Sequence, residues 1–223
     1  GLAPSRHDRT AAPPPHAIRP GPPQPHRGFD KARHSRTSPA SIWVVVNKRH
    51  PLGPKAYVPH DLTPVGNGQY LRAEAAAALE RMLAGARRAG HVVAPDSGYR
   101  SYRYQVTVYD SEVDAAGRAR ADTVSARPGY SEHQTGWAVD LGSGGCNITS
   151  CFGATPGGRW VTANAYRYGF ILRYPAGKAS VTGYRGEPWH FRYVGTKLAR
   201  ELREEHVATL EQFFGISGGT RYR

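Results

Sequence analysis

Long apolar runs are missing from this chain. No stretch approaches the ~20 consecutive apolar residues that span a bilayer, so a bundle of membrane helices is excluded. Acidic residues are scarce: 17 Asp and Glu face 30 Lys and Arg, a net charge of +13 over 223 residues. That balance favours polyanionic surroundings such as nucleic acid, anionic lipid or an acidic cell-wall matrix. The basic residues are dispersed, however, and no DNA- or RNA-binding motif accompanies them, so no nucleic-acid partner is expected. Cysteine is nearly absent, with only Cys146 and Cys151. Two thiols without nearby partners do not complete a four-ligand metal site. Their spacing instead suits a small loop-closing disulfide, which implies an oxidising, extracytoplasmic compartment. No leader is visible, because Gly1-Leu2-Ala3-Pro4 opens directly into a polar, proline-rich stretch. A secretion signal or membrane anchor upstream of residue 1 is left open.

Composition divides the chain into a proline-rich basic arm over 1–40, a folded domain over 41–216 and a short C-terminal tail over 217–223. The arm holds Pro13-Pro14-Pro15 and Pro20-Gly21-Pro22-Pro23 and almost no large apolar residue. It cannot bury enough surface to offset its ordering entropy and reads as an extended linker. Its His7, His16, His26 and His34 are too irregularly spaced to read as a metal site. In the domain, Ile42–Asn47 predicts a buried strand, followed by a proline-rich loop. The spacing of Leu79, Met82 and Leu83 predicts a helix over Arg72–Ala89, stopped by Gly90. A strand follows over His91–Ser97, then a helix capped by Ser101 and running to about Val113. Strands are expected at Gly136–Leu141, Phe170–Tyr174 and Trp189–Val194, with a short helix at Trp160–Tyr168 ending at Gly169. Helices at Lys197–Val207 and Ala208–Phe214 close the domain, and the last residues are expected to fray. The fold class is therefore α+β, a small, mostly antiparallel sheet with flanking helices.

The chemistry sits in two segments. Ser131-Glu132-His133-Gln134-Thr135-Gly136-Trp137-Ala138-Val139-Asp140 and Glu187-Pro188-Trp189-His190 supply two imidazoles, one ligating carboxylate and one carboxylate beside an imidazole. His133, Asp140 and His190 match the three protein ligands of a catalytic Zn2+ site, which keeps an open position. Zinc would polarise a scissile carbonyl and lower the pKa of bound water to ~7. Glu187, three residues before His190, is placed to accept a proton without ligating, as a general base. Glu132 reads as an orienting or solvent-facing neighbour. Arg100, in the turn Ser97-Gly98-Tyr99-Arg100-Ser101, is the candidate partner for a developing oxyanion or a substrate carboxylate.

Ser97-Gly98-Tyr99-Arg100-Ser101, Tyr104-Gln105, Ser131-Glu132-His133-Gln134-Thr135-Gly136-x-Ala138-x-Asp140, Tyr168-Gly169-Phe170-Ile171-Leu172-Arg173-Tyr174-Pro175 and Glu187-Pro188-Trp189-His190-x-Arg192-Tyr193-Val194-Gly195 resemble the VanY-type D-alanyl-D-alanine carboxypeptidases of the M15 zinc peptidases. The resemblance runs from about Trp43 to Val207. It implies a zinc site in a central cleft, ligated by His133, Asp140 and His190, with Glu187 as base and Arg100 serving the carbonyl oxygen. It also implies that Gln105 and Ser131 contact the substrate's terminal D-residue or its carboxylate. Tyr99 and Trp189 line the pocket or belong to the core. The Cys146–Cys151 loop departs from the commoner pattern and is expected to shape the rim of the site.

The expected activity is removal of the terminal D-alanine from peptidoglycan stem pentapeptides or their precursors, which would destroy the D-Ala-D-Ala target of glycopeptide antibiotics. The basic surface would hold the enzyme on anionic wall polymers. Rival readings are a D,D-dipeptidase or an L,D-carboxypeptidase on the same fold, and a non-catalytic wall-binding module with a structural metal.

Overall fold

The computed structural model describes residues 28–223. His7, His16, His26 and most of the proline-rich arm lie outside the described residues. Elements follow in the order β1 (Leu62–Gly66), β2 (Gln69–Arg72), α1 (Ala73–Arg88), β3 (Ala94–Ser97), α2 (Tyr102–Ala116), α3 (Arg118–Val124), β4 (Ala138–Ser143), β5 (Cys146–Asn147), α4 (Pro156–Asn164), β6 (Phe170–Leu172), α5 (Ala179–Thr182), β7 (His190–Tyr193), α6 (Thr196–Glu204) and α7 (Leu210–Phe214). The α+β expectation holds. The main sheet is antiparallel in the order β3-β4-β7-β6, with β5 added to β4.

The sheet has two unlike faces because strand side chains alternate. Val139, Leu141, Phe191 and Tyr193 enter the larger core with Ala75, Leu79 and Met82 of α1 and Val161 of α4. The alanines of α1 let that helix lie close to its neighbours. The other positions of the same strands, Asp140, His190 and Arg192, are buried but polar. A second cluster, of Trp43, Val45, Val194, Leu198, Leu202, Leu210 and Phe213, fastens the C-terminal helices.

Three expectations are corrected. Ile42–Asn47 is buried but forms no strand; among the described residues its only ladder contact is a bridge from Asn47 to His50. Its alternation has another cause. Val44 and Val46 enter the first core while Trp43 and Val45 enter the second, so the segment is wedged between two cores. The loop expected before α1 contains the β1–β2 hairpin, turned by Asn67 and Gly68, both at positive φ. The outer boundaries also shift. Phe29 stacks on Trp43 and Lys31 donates to the Phe213 carbonyl, so the segment from residue 28 belongs to the domain. The tail does not fray: Gly219 N–H donates to the Val181 carbonyl and the Tyr222 hydroxyl accepts from the Arg127 N–H.

Candidate active site

The register of the sheet assembles the site. Asp140 of β4 lies directly opposite His190 of β7, and side chains of such cross-strand pairs share one face at close range. His133 comes from a 3-10 turn over Glu132–Thr135, one short loop before β4. His133, Asp140 and His190 are all buried, and each offers one ligand atom within 4.8 Å of the others. Asp140 approaches His133 Nε2 at 3.3 Å and His190 Nδ1 at 3.2 Å.

Hydrogen bonds fix which imidazole nitrogens are available. His133 Nδ1 lies 2.8 Å from the Gly98 carbonyl, which can only accept. That nitrogen therefore carries the proton, and Nε2 is left with its lone pair toward Asp140. His190 Nε2 lies 2.8 Å from Glu132, so its Nδ1 faces Asp140. Among the described residues, His133 Nε2 and Asp140 Oδ1 have no hydrogen-bond partner although both are buried. Unpartnered buried polar atoms are rare, and two converging on one point fit a divalent cation. A histidine donating its far nitrogen to a carboxylate or carbonyl is the usual support of a metal ligand.

The charges agree with this arrangement. Burial alone would raise the Asp140 carboxyl, but His133 and His190 hold it well below the usual carboxylate range. Burial and the Arg100 guanidinium push His133 down toward the neutral ligand form, outweighing Asp140. Burial would also lower His190, yet the carboxylates of Asp140, Glu132 and Glu187 close around its ring raise it well above its ordinary value. A cation at Nδ1 would therefore replace a proton.

Around this centre is a cleft of about 450 Å³, within the usual range for a ligand site. Glu187 enters it with Oε2 3.4 Å from His190 Nδ1 and is partly open to solvent. Arg100 reaches in from the start of α2, its terminal nitrogen 3.8 Å from Asp140 Oδ2. Ser101 caps α2 by accepting from the Tyr104 N–H, which fixes the turn carrying Arg100. Ser131, Tyr99 and Trp189 line the same cleft. Gln105 lines it too, but its carboxamide accepts from Arg100 and donates to Ser125 and Ala126. It stands behind Arg100 as much as toward a ligand. Cys146 and Cys151 are disulfide-bonded, and Ile148 of their loop reaches the cleft.

The sequence profile of VanY, D-alanyl-D-alanine carboxypeptidase, matches residues 68–196. The chain belongs to the VanY family. Its Bacillus subtilis (strain 168) relative YodJ, a candidate carboxypeptidase, is 43% identical over 188 residues, which is 79% of this chain and 68% of YodJ. Among solved structures, the LdcB LD-carboxypeptidase aligns with a TM-score of 0.74 at 41% identity, covering 81% of this chain and 89% of that one. A single-residue mutant of the vancomycin-resistance D,D-pentapeptidase VanY from a VanB-type resistance cassette, in complex with Zn(II), aligns with a TM-score of 0.67 at 34% identity, covering 76% and 97%.

The VanY motifs did not disclose everything that builds this site. Glu132 is not solvent-facing. It is fully buried and binds His190 Nε2, Arg173 Nε at 3.0 Å and Arg192 at 3.1 Å. Burial would raise its carboxyl, but Arg173, His190 and Arg192 outweigh that and hold it far below the carboxylate range. Arg173 in turn forks onto Glu211 of α7 at 2.8 and 2.9 Å. The Tyr174 ring packs on His190. Asp96, beside Asp140 on the cleft wall, is raised by burial and then by Asp140. The available signal was alternation: Arg192 is two residues from His190 on one strand and shares its face.

Proposed function

We propose that this chain is a zinc-dependent D,D-carboxypeptidase that removes the terminal D-alanine of peptidoglycan stem pentapeptides. The convergence of His133, Asp140 and His190 beside Glu187 in an open cleft carries the reading. A zinc ion in such a site supplies a Lewis acid and an acidified water. The chain supplies the rest. Gly98 and Glu132 orient the two imidazoles. Glu187 takes a proton as the scissile carbonyl is attacked and returns it to the leaving amine. Arg100, braced by Gln105, presents its guanidinium to the developing oxyanion or to the substrate's terminal carboxylate. Ser131 flanks the terminal D-residue. Zinc is supported by the ligand set and by the Zn(II) complex of the related VanY.

The disulfide and the +13 charge support action outside the cytoplasm, on anionic wall polymers. Loss of the D-Ala-D-Ala terminus would lower the affinity of glycopeptide antibiotics for the wall. The closer alignment to LdcB favours a second reading, L,D-carboxypeptidase action on tetrapeptides. Mass spectrometry of defined pentapeptide, tetrapeptide and free D-Ala-D-Ala, incubated with and without a chelator, separates these. Loss of one alanine from the pentapeptide, abolished by chelation, is expected. Loss only from the tetrapeptide selects the second reading, and splitting only of the dipeptide selects a dipeptidase. Glu187→Ala should lower turnover by about 10²–10⁴-fold with zinc content unchanged; undiminished release would remove Glu187 as the base.

A further inference from the structure

The cleft is acidic although the chain is basic. Its wall carries Asp96, Glu112, Glu132, Asp140 and Glu187, and Arg100 is the one Lys or Arg among the described residues lining it. Asp140 and Glu187 face His190, and Glu132 is held by Arg173 and Arg192. Asp96 has no ion pair among the described residues, and its Oδ2 is buried with no donor.

A bulge aims Asp96. β3 and β4 pair Pro95 with Leu141 and Ser97 with Asp140, which leaves Asp96 as the extra residue. Bulges redirect a side chain in this way beside functional sites. Gly142 leaves the room: a Cβ there would lie 2.3 Å from both Asp96 Oδ2 and Asn147 Oδ1. Both oxygens therefore occupy the space that a side chain on Gly142 would fill. The two ends of the Asn147 carboxamide are assigned from such networks, so its NH₂ is the group placed to donate across that space. Asn147 then steadies one carboxylate oxygen and leaves the other for the cleft. The disulfide loop that carries Asn147 also places Ile148 on the cleft wall. A carboxylate and an apolar side chain lining one cleft complement an alkyl chain that ends in an ammonium.

We infer that Asp96, with Asn147 and Ile148, forms a subsite for the side-chain ammonium of the diamino acid upstream of the D-alanine end of the stem peptide. This rests on the carboxypeptidase reading above. Lysine and diaminopimelate both present that ammonium, and diaminopimelate adds a carboxylate beside it. The test uses three stem pentapeptides carrying lysine, diaminopimelate or norleucine at this position, with the zinc-loaded parent and Asp96→Asn. The parent should favour the better ammonium-bearing peptide over norleucine by about tenfold in kcat/KM, a charge-assisted contact's worth. The ranking of lysine and diaminopimelate identifies the source of the ammonium. Asp96→Asn should erase most of that preference through KM and leave norleucine within about twofold. Equal treatment of all three peptides by the parent, or an equal loss on norleucine in the variant, overturns the subsite. A parent that cleaves none of the three overturns the carboxypeptidase reading and the subsite with it.

Discussion

At the scale of single residues, the site depends on atoms that never meet a substrate. Glu132 is the clearest case. Its carboxylate fixes the His190 ring and neutralises two buried guanidiniums, Arg173 and Arg192. Glu132→Gln keeps the shape and removes the charge. The His190 Nε2–H then faces a weaker acceptor, and the ligand nitrogen becomes less basic. Carboxylate partners of this kind typically alter metal affinity by about 10–100-fold. Competition titration with a zinc chelator should show a loss of that size. Unchanged affinity would show that Glu132 serves only the arginines. Glu132 was legible in the sequence as a ligand's neighbour, but its partners were not. Arg173 and Arg192 stand in the motifs without any sign of what they pair with, and only the completed fold shows them fully buried around Glu132.

At the scale of elements, what could be read depended on whether a local pattern had one cause. α1 was legible because Leu79, Met82 and the buried alanines share one helical stripe. The catalytic strands were legible because motif and alternation agreed. Ile42–Asn47 misled because two cores on opposite sides produce the same alternation as a sheet. The β1–β2 hairpin was signalled by Asn67-Gly68, a favoured hairpin turn, but Pro64 argued for a loop; the pair is a separate two-stranded sheet, where proline is tolerated. That hairpin matters to the site through one close approach. Gly98 donates to Gln69, the next N–H, of Tyr99, donates to the Tyr70 carbonyl, and a Cβ on Gly98 would lie 2.4 Å from that carbonyl. Gly98→Ala must push the end of β3 from the hairpin and move the carbonyl that orients His133. Thermal unfolding should report a loss of about 1–3 kcal/mol, with weaker zinc binding in the same variant. A stable variant that binds zinc normally would show that the hairpin does not set the His133 geometry.

At the scale of the whole molecule, a buried charge chain ties the C-terminal helix to the site. It runs from Glu211 of α7 through Arg173 to Glu132 and His190, while Asn47 also donates to Glu211. The sequence places these groups far apart, so only the packed second cluster brings them into line. Burial would raise the Glu211 carboxyl, but Arg173 outweighs it and lowers it; Glu132 is lowered in the same way. A carboxylate with a depressed native pKa stabilises the fold above its unfolded pKa, here near 4.5. That stability is lost as pH falls toward the native value, because the unfolded chain takes up the proton first. Glu211→Gln leaves Arg173 with one carboxylate fewer in a buried setting, which typically costs about 3–5 kcal/mol. Denaturant unfolding should find that deficit near neutral pH. The gap between variant and parent should then narrow from about pH 5 to about pH 3, because the parent loses there what the variant already lacks. A gap of constant size across that range would mean that Glu211 contributes shape and hydrogen bonds but no charge linkage, and the chain from α7 to His190 would lose its electrostatic role.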